Sequence, residues 1–118
     1  MRHAHRKRTF GRVKKVRTGL IRSLARSLIL EEGIVTTIAK AKELRPFVER
    51  LVTQAKKNSL ASHRIASTRL GGSPEAVKKL HTELAPRYAT RAGGYTRIIR
   101  MGQIGKQATE SARIEFVQ

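Results

Sequence analysis

The chain has 118 residues, carries 26 Lys and Arg against 8 acids for a formal net charge of +18, and contains no Cys. That length supports one domain, and the charge points to a polyanionic partner. The missing thiols exclude disulfide scaffolds, thiolate zinc sites, iron–sulfur ligation and cysteine nucleophiles.

All eight acids are Glu, so paired-aspartate metal or proton chemistry has nothing to build on. The longest aliphatic run, Leu28-Ile29-Leu30, is far short of the roughly 20 residues a spanning helix needs. No apolar segment of signal-peptide type follows the basic N-terminus. The expectation is a soluble cytoplasmic protein with no membrane partner.

Residues 1–30 hold ten cations before the first acid, Glu31. Between Arg2 and Arg17 there is no apolar periodicity to offset the entropy of ordering. Residues 1–18 therefore read as an extended basic arm that orders only against a polyanion, and residues 19–118 as a single domain.

In that domain Leu20, Ile21, Leu24, Ala25 and Leu28 share one helical stripe, with Arg22 and Arg26 four apart on the opposite face. Gly33 reads as the helix stop, and Ile34-Val35-Thr36 as a short β-branched strand. Leu30 lies off the stripe, which predicts a second contact for it. Thr36 or Thr37 is placed to cap a second helix bearing Ala41, Leu44, Val48, Leu51, Val52 and Ala55. Pro46 inside that helix implies either a bend or two shorter helices.

A weaker helical stretch spans Ser59 to Leu70, and Gly71-Gly72 turns the chain. Ser73-Pro74-Glu75 then combines a capping hydroxyl, a first-turn proline and a first-turn acid, the start of a helix that buries Val77, Leu80 and Leu84. Tyr95 to Met101 is rich in β-formers, while Ala112, Ile114 and Phe116 alternate with Arg113, Glu115 and Val117. Gly102 and Gly105 between them imply a hairpin with a loose basic loop. The predicted product is α+β and two-layered: a small sheet of about three strands packed against three to four helices.

Catalytic and metal chemistry finds no support. His3 and His5 lack a carboxylate, Cys or further His to complete a metal shell, and their cationic setting suits phosphate or base contacts instead. His63 and His81 are lone helical residues that read as surface or capping groups. Gly102-Gln103-Ile104-Gly105-Lys106 fails the phosphate-loop pattern on spacing, and Gln107 stands where Ser or Thr is needed. No nucleophile elbow is present. The expectation is no enzyme, no cofactor and no small-molecule substrate.

The most distinctive segment is Gly93-Gly94-Tyr95-Thr96-Arg97, preceded by Arg87, Tyr88 and Arg91. Two glycines permit close backbone approach, and the next residues offer a ring, a hydroxyl and a guanidinium, a combination that suits RNA. Tyr95 reads equally as a stacking ring or as a core residue. With aromatics at only 4%, a sheet that stacks bases is not supported. The candidate RNA-binding set is Arg2, His3, His5, Arg6, Lys7, Arg8, Arg12, Lys14, Lys15, Arg17, Arg22, Arg26, Lys40, Lys42, Arg87, Arg91, Gly93, Gly94, Tyr95, Thr96, Arg97 and Arg100. A DNA-binding architectural protein would share this charge and is the alternative.

Several segments together resemble the bacterial large-subunit ribosomal protein L-seventeen family, in the family's order and almost end to end. They are Met1-Arg2-His3, Ser27-Leu28-Ile29-Leu30, Thr36-Thr37, the run Ala39 to Pro46, Ala85-Pro86-Arg87-Tyr88 and Gly93-Gly94-Tyr95-Thr96-Arg97. The resemblance implies a two-layer α/β fold and a non-catalytic role in the large ribosomal subunit near the peptide exit region. It further implies binding to large-subunit ribosomal RNA beside neighbouring large-subunit proteins. The basic arm from Arg2 to Arg12 and Lys40 and Lys42 match the family as residue types.

Overall fold

The computed structural model describes residues 13–103 and 110–118. Along them run α1 (Lys14–Glu31), β1 (Gly33–Thr37), α2 (Ile38–Ala55), α3 (Leu60–Arg69), α4 (Pro74–Lys79), a π-helical turn (Leu80–Leu84), α5 (Ala85–Arg87), β2 (Thr96–Gln103) and β3 (Glu110–Phe116). Because α4, the π turn and α5 follow without a break, the architecture is four helical segments against one sheet, the expected α+β arrangement.

The sheet is antiparallel with order β1-β3-β2, so the last strand in sequence is the central one. β2 and β3 pair as the expected hairpin, with Thr96 opposite Phe116 and Ile98 opposite Ile114. β1 pairs on the other side, Ile34 opposite Ile114. The period-2 alternation of β3 turns Ala112, Ile114 and Phe116 into the core. The other face carries a cross-strand row of Val35, Arg113 and Ile99, whose aliphatic members are about half exposed. A register shift between Arg100 and Gly102 marks a bulge. The tip of the hairpin, residues 104–109, lies outside the described residues, and the expected basic loop with it.

The spine of the core is α2, which buries all six residues of its predicted stripe. Thr37 is its cap: Oγ1 accepts from the Lys40 N–H at 3.3 Å. Pro46 neither breaks the helix nor splits it. The residue is exposed and forfeits only the one bond its missing N–H would make, while the buried residues on both sides of it hold the helix to the core.

Helix α1 differs from expectation at both ends. It begins at Lys14 rather than at the start of the apolar stripe, with Val13 and Val16 exposed; its buried residues are Ala25, Leu28 and Ile29. Its stop is Glu32, not Gly33. Glu32 takes the left-handed conformation at φ 65° and returns its N–H to the Leu28 carbonyl at 2.7 Å. Such a conformation costs a non-glycine residue roughly 1–3 kcal/mol. It persists here because the Glu32 carboxylate is held by Arg87 at 2.5 Å and Lys79 at 3.2 Å.

The remaining helices are set by their caps. α3 starts in a reciprocal box, Ser59 Oγ accepting from the Ser62 N–H at 3.1 Å and Ser62 Oγ from the Ser59 N–H at 3.0 Å. Ser73 caps α4 as predicted, accepting from the Ala76 N–H at 3.4 Å. The π turn then widens the helix: the Ala85 N–H reaches back to the Leu80 carbonyl, the Thr82 hydroxyl donates to the Lys78 carbonyl at 2.8 Å, and Pro86 supplies no N–H. Tyr88 follows as a buried residue whose hydroxyl donates to the Val117 carbonyl.

Candidate nucleic-acid interface

Ion pairs engage cations of the sheet, of α4 and α5, and Arg45 of α2. Glu32, Glu49, Glu83, Glu110 and Glu115 pair with Arg45, Lys79, Arg87, Arg97, Arg100 and Arg113. Three predicted RNA-binding cations, Arg87, Arg97 and Arg100, thus have a carboxylate beside them. Glu115 bridges Arg113 at 2.7 Å and Arg97 at 2.6 Å, and these bonds, Arg113 first, hold its carboxyl below the ordinary range.

Most cations of the first two helices, Arg45 apart, are different. Among the described residues, Lys14, Lys15, Arg17 and Arg22 of α1 and Lys40 and Lys42 of α2 pair with no acid. The exception on α1 is Arg26. Predicted to face outward, it is half-buried, and its Nη1 donates to the Leu70 carbonyl at 3.0 Å at the end of α3. A guanidinium satisfies a carbonyl left open at a helix C-terminus, so Arg26 is a strut between α1 and α3. Arg2, His3, His5, Arg6, Lys7, Arg8 and Arg12 lie outside the described residues.

The glycine-rich segment splits into two parts. Tyr95 is 1% exposed, its ring lies 5.1 Å from that of Tyr88, and its hydroxyl is 3.1 Å from Thr53 Oγ1 and accepts from Lys56 Nζ at 3.2 Å. It is a core residue with no face free for a base, which corrects the stacking alternative. Thr96 is likewise buried; its hydroxyl and N–H both donate to Glu49 Oε2, at 2.8 and 3.2 Å. Its hydroxyl is therefore not on offer to RNA. The reason is positional, since β2 starts against α2 and its first residues seal that seam.

Gly93 and Gly94 form a bend of unusual backbone conformation. They adopt φ 149° and 64°, and a Cβ built on either would meet nothing within 4 Å, so this stretch of backbone is open to a partner. Arg91 is exposed and fastens the bend, its Nε donating to the Gly93 carbonyl at 3.2 Å while its own carbonyl accepts from Lys56 Nζ at 2.6 Å.

One cation went unpredicted. Arg50, exposed on α2, borders three depressions at once. Toward α1 it shares a depression with Lys14, Arg17, Glu43 and Phe47; toward α3, with Gln54 and Arg69; toward the glycine bend, with Glu49, Thr53 and Gly93. Cations of three helices thus border the depressions around this guanidinium, together with Glu43 and Glu49 of α2. The available signal was the i, i+4 spacing of Arg50 and Gln54 opposite the buried stripe of α2.

His63 and His81, read as lone residues, stack at 3.7 Å between centroids, with His81 buried and its Nδ1 3.0 Å from the Val77 carbonyl. Among the described residues no group of three His, Cys, Asp or Glu is placed to hold a metal, and no helix is long and apolar enough to cross a membrane.

Residues 20–117 match the family described as Ribosomal protein L17. The chain is also 54% identical over 119 residues, covering all of both chains, to the "Large ribosomal subunit protein bL17" of Hydrogenobaculum sp. (strain Y04AAS1). It belongs to the ribosomal protein L17 family. Relatives of the same description from Gemmatimonas aurantiaca, 47% identical over 99% of this chain and 98% of that one, and Sulfurimonas denitrificans, 49% identical over 99% and 100%, agree. The resemblance carried by the ordered segments is thereby established. L17 proteins are ribosomal and non-enzymatic, in line with the absence of any catalytic pattern in the sequence.

Proposed function

We infer that this L17 protein is a structural constituent of the large ribosomal subunit that binds and stabilises folded large-subunit ribosomal RNA in the cytoplasm. Neighbouring large-subunit proteins near the peptide exit region are its other partners. The observation that carries this reading is the run of uncompensated cations on the first two helices: among the described residues Lys14, Lys15, Arg17 and Arg22 of α1 and Lys40, Lys42 and Arg50 of α2 pair with no acid, whereas Arg97, Arg100 and Arg113 of the sheet do. Binding is phosphate neutralisation. Each contact releases condensed counterions, so affinity falls with salt at a log–log slope of roughly −0.7 to −0.9 per phosphate.

Recognition is by backbone and shape. The exposed large hydrophobics among the described residues are all aliphatic or Met, which favours contacts to backbone over base stacking.

Sedimentation of a lysate through sucrose tests the reading. Co-migration with the large subunit, retained through a moderate salt wash, is the expected result. Recovery with the nucleoid, or tighter binding to duplex DNA than to ribosomal RNA of equal charge, would favour an architectural DNA-binding protein instead.

A further inference from the structure

The groove between α2 and the Gly93-Gly94 bend holds about 500 Å³, in the range of small-ligand sites, and is wide open. Its chemistry is specific. On the α2 side stand the Arg50 guanidinium, which pairs with no described acid, the Thr53 hydroxyl, the Gln54 amide and the Glu49 carboxylate, which is itself held by Arg45 at 3.5 Å and by Thr96. On the other side are the small side chain of Ala92 and the bare backbone of Gly93, where a Cβ would meet nothing within 4 Å. Tyr95 closes the floor with its hydroxyl engaged by Thr53 and Lys56 and its ring packed on Tyr88. The groove therefore offers an unpaired cation and an amide beside a carboxylate already engaged by Arg45 and Thr96, and no aromatic face.

That set does not suit a base, which would find nothing to stack on. It does suit the backbone of an unpaired nucleotide. A guanidinium matches the phosphate oxygens, and an amide can both donate to and accept from a ribose 2′-hydroxyl. Glycine lets the sugar lie against the main chain.

We propose that this groove is a sugar–phosphate site for a single-stranded segment of RNA, with Arg50 on the phosphate and Gln54 on the 2′-hydroxyl. The site distinguishes RNA from DNA by that hydroxyl. The proposal rests on the ribosomal RNA reading above and adds to it a second anchor on the folded domain, separate from the basic arm.

The test uses the full chain and deproteinised large-subunit ribosomal RNA, with protection read by 2′-hydroxyl acylation along the RNA. The wild-type chain is expected to protect a short unpaired segment. Arg50→Ala and Gln54→Ala should each lose protection there while the rest of the footprint stays. Arg50→Ala should also weaken binding about tenfold and reduce the salt slope by about 0.7. A footprint unchanged in both variants, each with a wild-type melt, would overturn the groove site while leaving the ribosomal RNA reading intact. Equal binding of the protected segment as DNA would overturn it too. No footprint from the wild-type chain would overturn the broader reading and the groove with it.

Discussion

Thr96, the first residue of β2, and Glu49, at the middle of α2, meet in a two-pronged contact: hydroxyl and N–H of the one donate to a single carboxylate oxygen of the other, at 2.8 and 3.2 Å. The contact joins residues 47 apart in sequence and fixes where the sheet hairpin leaves the helical layer. Thr96 is 2% exposed, so removing its acceptor strands two buried donors. Hydrogen bonds to a charged group contribute about 1.5–3 kcal/mol each. Glu49→Ala should therefore destabilise by about 2 kcal/mol or more, seen as a melting temperature lower by about 8 °C. Thr96→Val, which keeps the N–H bond and the shape, should cost about 1 kcal/mol. Equal losses from the two variants would show that the backbone bond carries none of the effect.

This contact also shows why the fold was more legible than the site. Leu44, Val48, Leu51 and Val52 announce their helix by spacing alone, and Ala112, Ile114 and Phe116 announce a strand, because burial imposes the period of the element. Ser73 and Thr37 are caps by local chemistry. Whether a given Tyr or Thr faces water is settled by the packing of distant segments, and nothing in Gly93-Gly94-Tyr95-Thr96 states that α2 lies over its second half. Arg26 and Arg50 are both arginines on helix faces remote from the apolar stripe. One finds the carbonyl of Leu70 and becomes structural; the other finds no described acid and stays available. The end of α1 was misplaced for a similar reason, since Glu32 is a poor left-handed residue until Arg87 and Lys79 arrive from 55 and 47 residues away.

Tyr95 separates a structural from a recognition role. Its hydroxyl is shared among Thr53, Lys56 and the Arg91 carbonyl, and its ring packs on Tyr88. Tyr95→Phe should cost about 1 kcal/mol for the lost hydroxyl contacts, and Tyr95→Ala about 3–5 kcal/mol for the ring. At temperatures where the variant is folded, Tyr95→Phe should bind ribosomal RNA as the wild type does. A selective loss of RNA affinity with an unchanged melt would restore the stacking role.

Glu32 makes stability depend on acid. The hydrogen bond from Arg87, with the contribution of Lys79, outweighs burial and lowers its carboxyl below the ordinary value of 4.5. A lowered folded pKa means that the ionised form is the stabilised one. The contribution is thus complete above the unfolded value and disappears as pH falls through the lower, folded value. The side chain is 36% exposed, which limits the pair to at most about 1 kcal/mol after solvent screening. Urea midpoints should therefore separate wild type from Glu32→Gln at neutral pH and converge as the pH falls through the lowered, folded value. Glu115 is lowered by the same kind of contact, so Glu32→Gln should keep some acid sensitivity of its own. A gap between the two proteins that is constant with pH would mean that the carboxylate's charge is not what Arg87 and Lys79 hold.

The basic arm should contribute affinity without stability. Arg6, Lys7 and Arg8 precede the first described helix and lie in a stretch without apolar periodicity. Their replacement by Ala removes three cations and no recognisable core position. The melt should stay within about 0.5 kcal/mol of wild type, as for surface substitutions generally. Binding to large-subunit ribosomal RNA should weaken, and the log–log salt slope should fall by about 2–3, one phosphate contact per cation. Comparison with Arg50→Ala then partitions the interface between arm and domain. If both sets of contacts are independent, the two losses add in free energy; if the arm is positioned by the ridge around Arg50, the combined variant should lose less than the sum. A large drop in melting temperature for the arm variant would instead place these residues in the folded core of the protein.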